Sequence, residues 1–280
     1  MSPTTDSKQR FLGPPDFIGT FRKPSSVPEL GAQSRFCGAL TFFNLPRSHV
    51  ARVVPEGIEL AAKQAPKPDV HPVLLLLGRH DDLRWLLPGP GPPPLPMSYT
   101  ELVLLVPFVQ RRGGANWHSL ATRMYLDNPL AVVLGNQSYG YAKELAALFS
   151  TCADGALSKF ETHKAGTRYF DADLRHAGNW RSHEQAETTL RNYADMQTIL
   201  SMPILGIKAG RYVCSYFQWD LSSVSIRPTI TRHEFVEPFV AGMDSWTKKP
   251  IDGVTDGAIA LRDLVWRLGR PFDCAFQRAA

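Results

Sequence analysis

Apolar residues in this chain fall mostly in short blocks of strand length, separated by turn residues, and seldom at helical spacing. Residues 38–44 predict a strand, then a turn at 44–48 and a short helix over 47–53 that Pro55 and Gly57 end. Residues 73–77 are a fully apolar run between Pro72 and Gly78, the pattern of a buried strand, and residues 99–109 are apolar on both faces at their centre. Residues 120–126 and 130–135, joined by Asp127, Asn128 and Pro129, predict a hairpin-like pair of strands. A second pair is expected over 155–163 and 167–174, around Lys164, Ala165 and Gly166, and further strands over 211–221 and 223–231. Helix formers over 184–192 and 259–268 predict a helix in each, the second closing the chain. There is no internal repeat. Many antiparallel-looking strands with few helices predict an α+β fold, mainly antiparallel sheet forming a closed, barrel-like structure with peripheral helices.

Two stretches break the pattern. Residues 1–33 are rich in Pro, Ser, Gly and charge and read as an extended arm ahead of a single domain over 34–280. Residues 88–96 carry too many prolines for a helix or a central strand, so they predict a loop at a rim or lid.

Composition narrows the class. Of 280 residues, 44% are hydrophobic and 20% charged, as in a folded protein. The net charge of +5 is spread along the chain without basic runs interleaved with aromatics, which argues against nucleic acid as a partner. The longest apolar runs are too short to span a bilayer and no secretory leader is visible, so a cytoplasmic protein with no membrane association is expected. Cys37, Cys152, Cys214 and Cys274 stand far apart and read as buried thiols, with a disulfide left open; no Cys or His spacing suggests a metal site.

The stretch from Arg123 to Leu145 carries the chemistry. It places Lys143 among apolar, small and neutral polar residues. An ordinary lysine is neutral in only about one molecule in 2,500 at pH 7. Desolvation disfavours the charged form, and a neutral amine attacks a carbonyl to give a Schiff base.

Several blocks together resemble the acetoacetate decarboxylase superfamily: Val53 to Gly57, Tyr99-Thr100-Glu101, Met124 to Asn128, Gly135, and Tyr141 to Leu145, over roughly residues 35 to 235. The resemblance implies a large antiparallel β-structure around an apolar cavity, assembled as a homo-oligomer, acting without a cofactor on a small-molecule oxo compound. It puts the Schiff-base lysine at Lys143 and the proton-transfer carboxylate at Glu101, and offers Arg35 for the family arginine.

The chain also departs from that pattern. The family's Arg-Glu after glycine is Asn136 and Gln137 here, the proline before the lysine is Ala142, and the second lysine is Glu144. The acidic residue expected in the strand before the loop is missing from residues 73–77. A second lysine would lower the first one's pKa by charge repulsion, so burial must act alone. Side-chain alternation predicts that Glu144 points away from Lys143. Asn136 and Gln137 offer neutral donors to a substrate, or satisfy backbone groups near a helix start; Tyr125 and Tyr141 line the cavity or pack in the core. The expected activity is a cofactor-free Schiff-base lyase on an oxo acid or related carbonyl compound, decarboxylase-like. The alternatives are an aldolase–dehydratase joining an oxo acid and an aldehyde, and a non-catalytic protein that binds a small molecule in the family cavity.

Overall fold

Sixteen strands hydrogen-bond into one continuous sheet in a computed structural model that describes residues 30–61, 68–85, 96–114, 116–190, 193–236, 246–248 and 258–274. In chain order the elements are β1 (Leu30–Pro46), α1 (Arg47–Val50) with a 3-10 turn (Ala51–Val53), β2 (Ile58–Leu60), β3 (Val70–Trp85), β4 (Met97–Arg111), β5 (His118–Leu126) and α2 (Pro129–Tyr139). There follow β6 (Lys143–Leu145), β7 (Ala147–Ala153), β8 (Ala156–Lys164), β9 (Thr167–His176), α3 (His183–Thr189) and α4 (Tyr193–Ser201). The chain continues through β10 (Ile204–Lys208), β11 (Arg211–Ser215), β12 (Phe217–Asp220), β13 (Ser225–Phe235), β14 (Trp246–Lys248), β15 (Ala258–Gly269) and β16 (Phe272–Asp273).

The main path runs β16-β11-β10-β5-β4-β3-β1-β15-β13-β9-β8-β7, with β2, β6, β12 and β14 as side branches. All pairings are antiparallel except β10 and β6, which each lie parallel to β5. Among the described residues no hydrogen bonding joins β16 to β7, so the sheet is open and the closed barrel expected from the strand count is not formed. β7 is exposed along most of its length, as suits an edge rather than an internal strand.

The long central strands are apolar on both faces because each face has its own core. On β3, Leu74 and Leu76 belong to one cluster and Val73, Leu75 and Leu77 to the other. On β4, Tyr99, Val103 and Leu105 alternate in the same way with Leu102, Leu104 and Val106. Gly38 and Gly78 face each other across β1 and β3, and a Cβ at Gly78 would lie 2.6 Å from the Phe36 ring. The Phe36 ring thus packs against both glycines, next to Glu101, the β4 partner of Gly78.

Three expectations need correcting. Residues 130–135 are not a strand: Asn128 caps a helix through Oδ1, accepting from Leu130 N at 3.0 Å and Ala131 N at 3.1 Å, and Pro129 opens it at a position where its missing N–H costs nothing. Residues 259–268 are the strand β15, since pairing with β1, β12 and β13 outweighs helix propensity. Cys214 and Cys274 are joined in a disulfide linking β11 to the segment after β16, and the other two are not buried thiols: Cys37 is half-buried and Cys152 exposed.

The helices over 47–53 and 184–192 and the remaining strands lie where the pattern places them, except that β1 and β3 extend well beyond 38–44 and 73–77 and that 211–221 is split into β11 and β12, which pair with different strands. Leu30–Gln33 already belong to β1; residues 1–29 of the expected arm and 88–95 of the proline-rich loop lie outside the described residues. No helix among the described residues is long and apolar enough to cross a membrane.

Candidate active site

Lys143 and Glu101 meet in one apolar cavity of about 60 Å³. Its walls come from the sheet face that carries Leu76, Tyr99, Val103, Met124 and Trp266, closed by α2 and the end of α4. Since a single water needs roughly 10–15 Å³ on this measure, the space holds a few waters or one small organic molecule. Among the described residues no arginine lines it.

The block from Met124 to Asn128 builds the frame for the lysine. Met124 faces the cavity, Asp127 Oδ1 accepts from Thr100 N at 2.8 Å beside Glu101, and Asn128 starts α2. The helix ends at Gly140, in the left-handed region at φ 66° and packed against the backbone of Ile207, where a side chain would collide. The chain then returns as β6 alongside β5, with Met124 opposite Lys143.

Asn136 fastens the return: Lys143 N donates to its Oδ1 at 2.8 Å, and its Nδ2 donates to Lys143 O at 2.9 Å. The lysine side chain lies across Gly135, where an added Cβ would stand 2.5 Å from Cδ and 2.7 Å from Cε. Its amine lies 5.8 Å from the ring centres of Tyr99 and Tyr141.

Burial lowers the Lys143 pKa below the ordinary lysine value, while the Glu101 charge pulls the other way. The residue keeps some solvent contact overall, but its amine end lines the cavity, and the local surroundings decide the direction. Glu101 is 6% exposed. Burial raises its pKa, but the hydrogen-bonded His80 beside it and the Lys143 charge outweigh that, leaving it below the usual carboxylate range. The buried phenols of Tyr99 and Tyr141 are pushed up by desolvation and stay neutral. Tyr141 pairs its hydroxyl with Ser215 Oγ.

His80 was not among the residues expected here. On β3 it stands opposite Tyr99 and on the same face as Gly78, so its ring stacks on Tyr99, with centroids 4.6 Å apart, and reaches diagonally to Glu101. Nε2 of His80 lies 2.7 Å from Glu101 Oε1, and Trp266 Nε1 donates to Nδ1 at 2.9 Å. The sequence signal was available: a histidine two residues beyond a glycine, at the end of an apolar strand pairing with the Tyr99–Glu101 strand.

The other expected site residues separate. Tyr141 lines the cavity, but Tyr125 faces the opposite core, its ring 5.0 Å from that of Tyr169, because Met124 and Leu126 take the cavity side of β5. Gln137 is exposed on α2 and does not line the cavity. Arg35 is exposed on β1, since Phe36 and Ser34 turn to the protein side there, so it does not replace the family arginine. Asn136 binds backbone and not the cavity space. Glu144 does point away from Lys143, as alternation predicts, toward Lys164 Nζ and, at 3.8 Å, Arg123 Nη1.

No family model and no curated protein matches the chain. Solved structures do match. An enduracididine biosynthesis enzyme, MppR, complexed with pyruvate aligns at a TM-score of 0.55 and 12% identity, over 89% of this chain and 91% of that one. Acetoacetate decarboxylase from Legionella pneumophila aligns at 0.55 and 13% identity, over 93% and 94%. An acetoacetate decarboxylase-like enzyme from Sphingomonas wittichii aligns at 0.52 and 12% identity, over 90% and 97%. Likeness over nearly the full length of each, at such low identity, establishes one thing: this chain has the acetoacetate decarboxylase fold.

Proposed function

We propose that the protein is a divergent member of the acetoacetate decarboxylase superfamily and a cofactor-free Schiff-base lyase acting on a small oxo acid or related carbonyl compound. The observation that carries this reading is the pairing of one lysine amine and one carboxylate, Lys143 and Glu101, in a cavity otherwise lined almost wholly by apolar and aromatic side chains. Burial makes the amine a nucleophile at lower pH than a solvated lysine. It adds to the substrate carbonyl, and loss of water from the carbinolamine gives an iminium ion. The iminium nitrogen withdraws electrons from the bond beyond the α-carbon. In a β-keto acid that bond breaks to release carbon dioxide and leave an enamine; a proton delivered through Glu101 to the α-carbon, then hydrolysis, frees the product and the amine.

A second reading has its own support. An aldolase–dehydratase uses the same iminium, but Glu101 removes an α-proton and the enamine attacks an aldehyde. MppR, which shares the fold, has been seen with the condensation product of pyruvate and imidazole 4-carboxaldehyde.

The test is borohydride trapping with a panel of oxo acids and aldehydes, followed by intact mass and peptide mapping. A reduced adduct at Lys143 is expected. No adduct across the panel sinks the lyase and leaves the cavity to a binding protein. Carbon dioxide release against carbon–carbon bond formation then separates the two reactions.

A further inference from the structure

The steps above use Glu101 as a proton carrier without accounting for what keeps it ionised in an apolar cavity. A buried carboxylate without donors takes up a proton. Glu101 Oε2 has no hydrogen-bond partner among the described residues, so Oε1 and its bond to His80 carry the whole requirement.

The tautomer of His80 follows from its other neighbour. An indole N–H only donates, so Nδ1 of His80 is the acceptor and the ring proton sits on Nε2, aimed at Glu101. The ring is 3% exposed, stacked on Tyr99 and 5.0 Å from the Phe36 ring, so it cannot turn to another partner. The remaining titratable groups around Glu101 are Lys143 from β6, Tyr99 on β4 itself and Tyr141 ahead of β6, with Asp127 turned to Thr100 N.

We propose that His80, anchored across β1 by Trp266, is the positioning residue that holds Glu101 as a carboxylate base beside Lys143. The inference rests on the Schiff-base reading.

Two reactions of the full chain separate amine from base. With 2,4-pentanedione the Lys143 amine forms a conjugated enaminone, losing water, which reports the nucleophile alone. With acetone in D2O the amine forms an iminium ion, the base removes a methyl proton to give the enamine, and a solvent deuteron returns to carbon before hydrolysis. NMR of the methyl signal reports the base.

His80→Leu is expected to keep enaminone formation and to lose at least about tenfold in deuterium exchange. The acid limb of its exchange profile should move to higher pH, because Glu101 without its donor protonates sooner. His80→Gln, whose amide can accept from Trp266 and donate to Glu101, should recover most of the exchange; a purely space-filling role would not favour glutamine over leucine. Should His80→Leu lose both reactions, Trp266→Phe decides: loss of exchange alone supports the proposal, and unchanged exchange overturns it. Wild-type exchange in His80→Leu, or no recovery in His80→Gln, also overturns it. A wild-type chain that forms no enaminone defeats the Schiff-base reading instead, whereas one that forms it and exchanges no deuterium removes Glu101 as a base and this proposal with it.

Discussion

Gly135 sets the position of the amine by what it lacks. A Cβ there would stand 2.5 Å from Lys143 Cδ, so Gly135→Ala must push the side chain off the α2 surface. Helix propensity favours alanine by about 1 kcal/mol, which works against any loss of stability. The expected result is a folded variant with a melting temperature close to wild type and borohydride trapping at Lys143 reduced by about tenfold or more. Full trapping in Gly135→Ala would show that the glycine does not make this space. Lys143 was legible in the sequence as a lone lysine in an apolar stretch, and the roles of Lys143 and Glu101 only through the resemblance of their blocks to the acetoacetate decarboxylase superfamily. Asn136, Gln137, Tyr125 and Arg35 were not, because residue type alone does not say which face a side chain takes. Asn136 offers the same amide to a substrate or to a backbone, and only the return of β6 beside α2 settles that it grips Lys143 N and O.

At the scale of elements, the turn after Lys164 falls where the sequence pattern places it, whereas the one after Lys208 was not expected. The hairpin of β8 and β9 turns through Ala165 and Gly166, and that of β10 and β11 through Ala209 and Gly210, all at positive φ. Two-residue hairpins favour this geometry, and asparagine accepts it more readily than alanine, whose Cβ crowds the carbonyl at a cost of roughly 1–2 kcal/mol. Ala209→Asn should therefore stabilise the protein, raising the melting temperature by about 2 °C or more in calorimetry. A lowered melting temperature would mean that the turn is not under this strain. The misread elements, α2 and β15, share one cause. Residues 130–135 and 259–268 are apolar-rich segments whose local pattern suits either helix or strand, and a cap in one case and three neighbouring strands in the other made the choice.

For the whole molecule, two cores on opposite faces of one sheet impose a pH limit. His71 and His118 are buried, and burial pushes each pKa down to about 4 from an ordinary 6.5. Both are therefore neutral in the folded state while the unfolded chain takes up protons below about pH 6.5. Their contribution is complete above that pH and is lost as pH falls toward 4, by roughly 2 kcal/mol each at pH 5. Urea unfolding at pH 7 and pH 5 should show this fall, and His71→Gln, which can still donate to Pro107 O, should remove about half of it. A His71→Gln chain with an undiminished acid loss would place the sensitivity elsewhere.

By itself the sequence determined the strand-rich class and the positions of the long central strands, because apolar runs are local properties of the chain, and the resemblance of its blocks singled out Lys143 and Glu101. Tertiary structure alone decided that the sheet stays open, that α2 and β15 take the forms they do, that Cys214 meets Cys274 across 60 residues, and that His80 and Trp266 stand behind Glu101. Each of these depends on which distant residues share a face, and that is fixed by strand register and packing rather than by any neighbour in sequence.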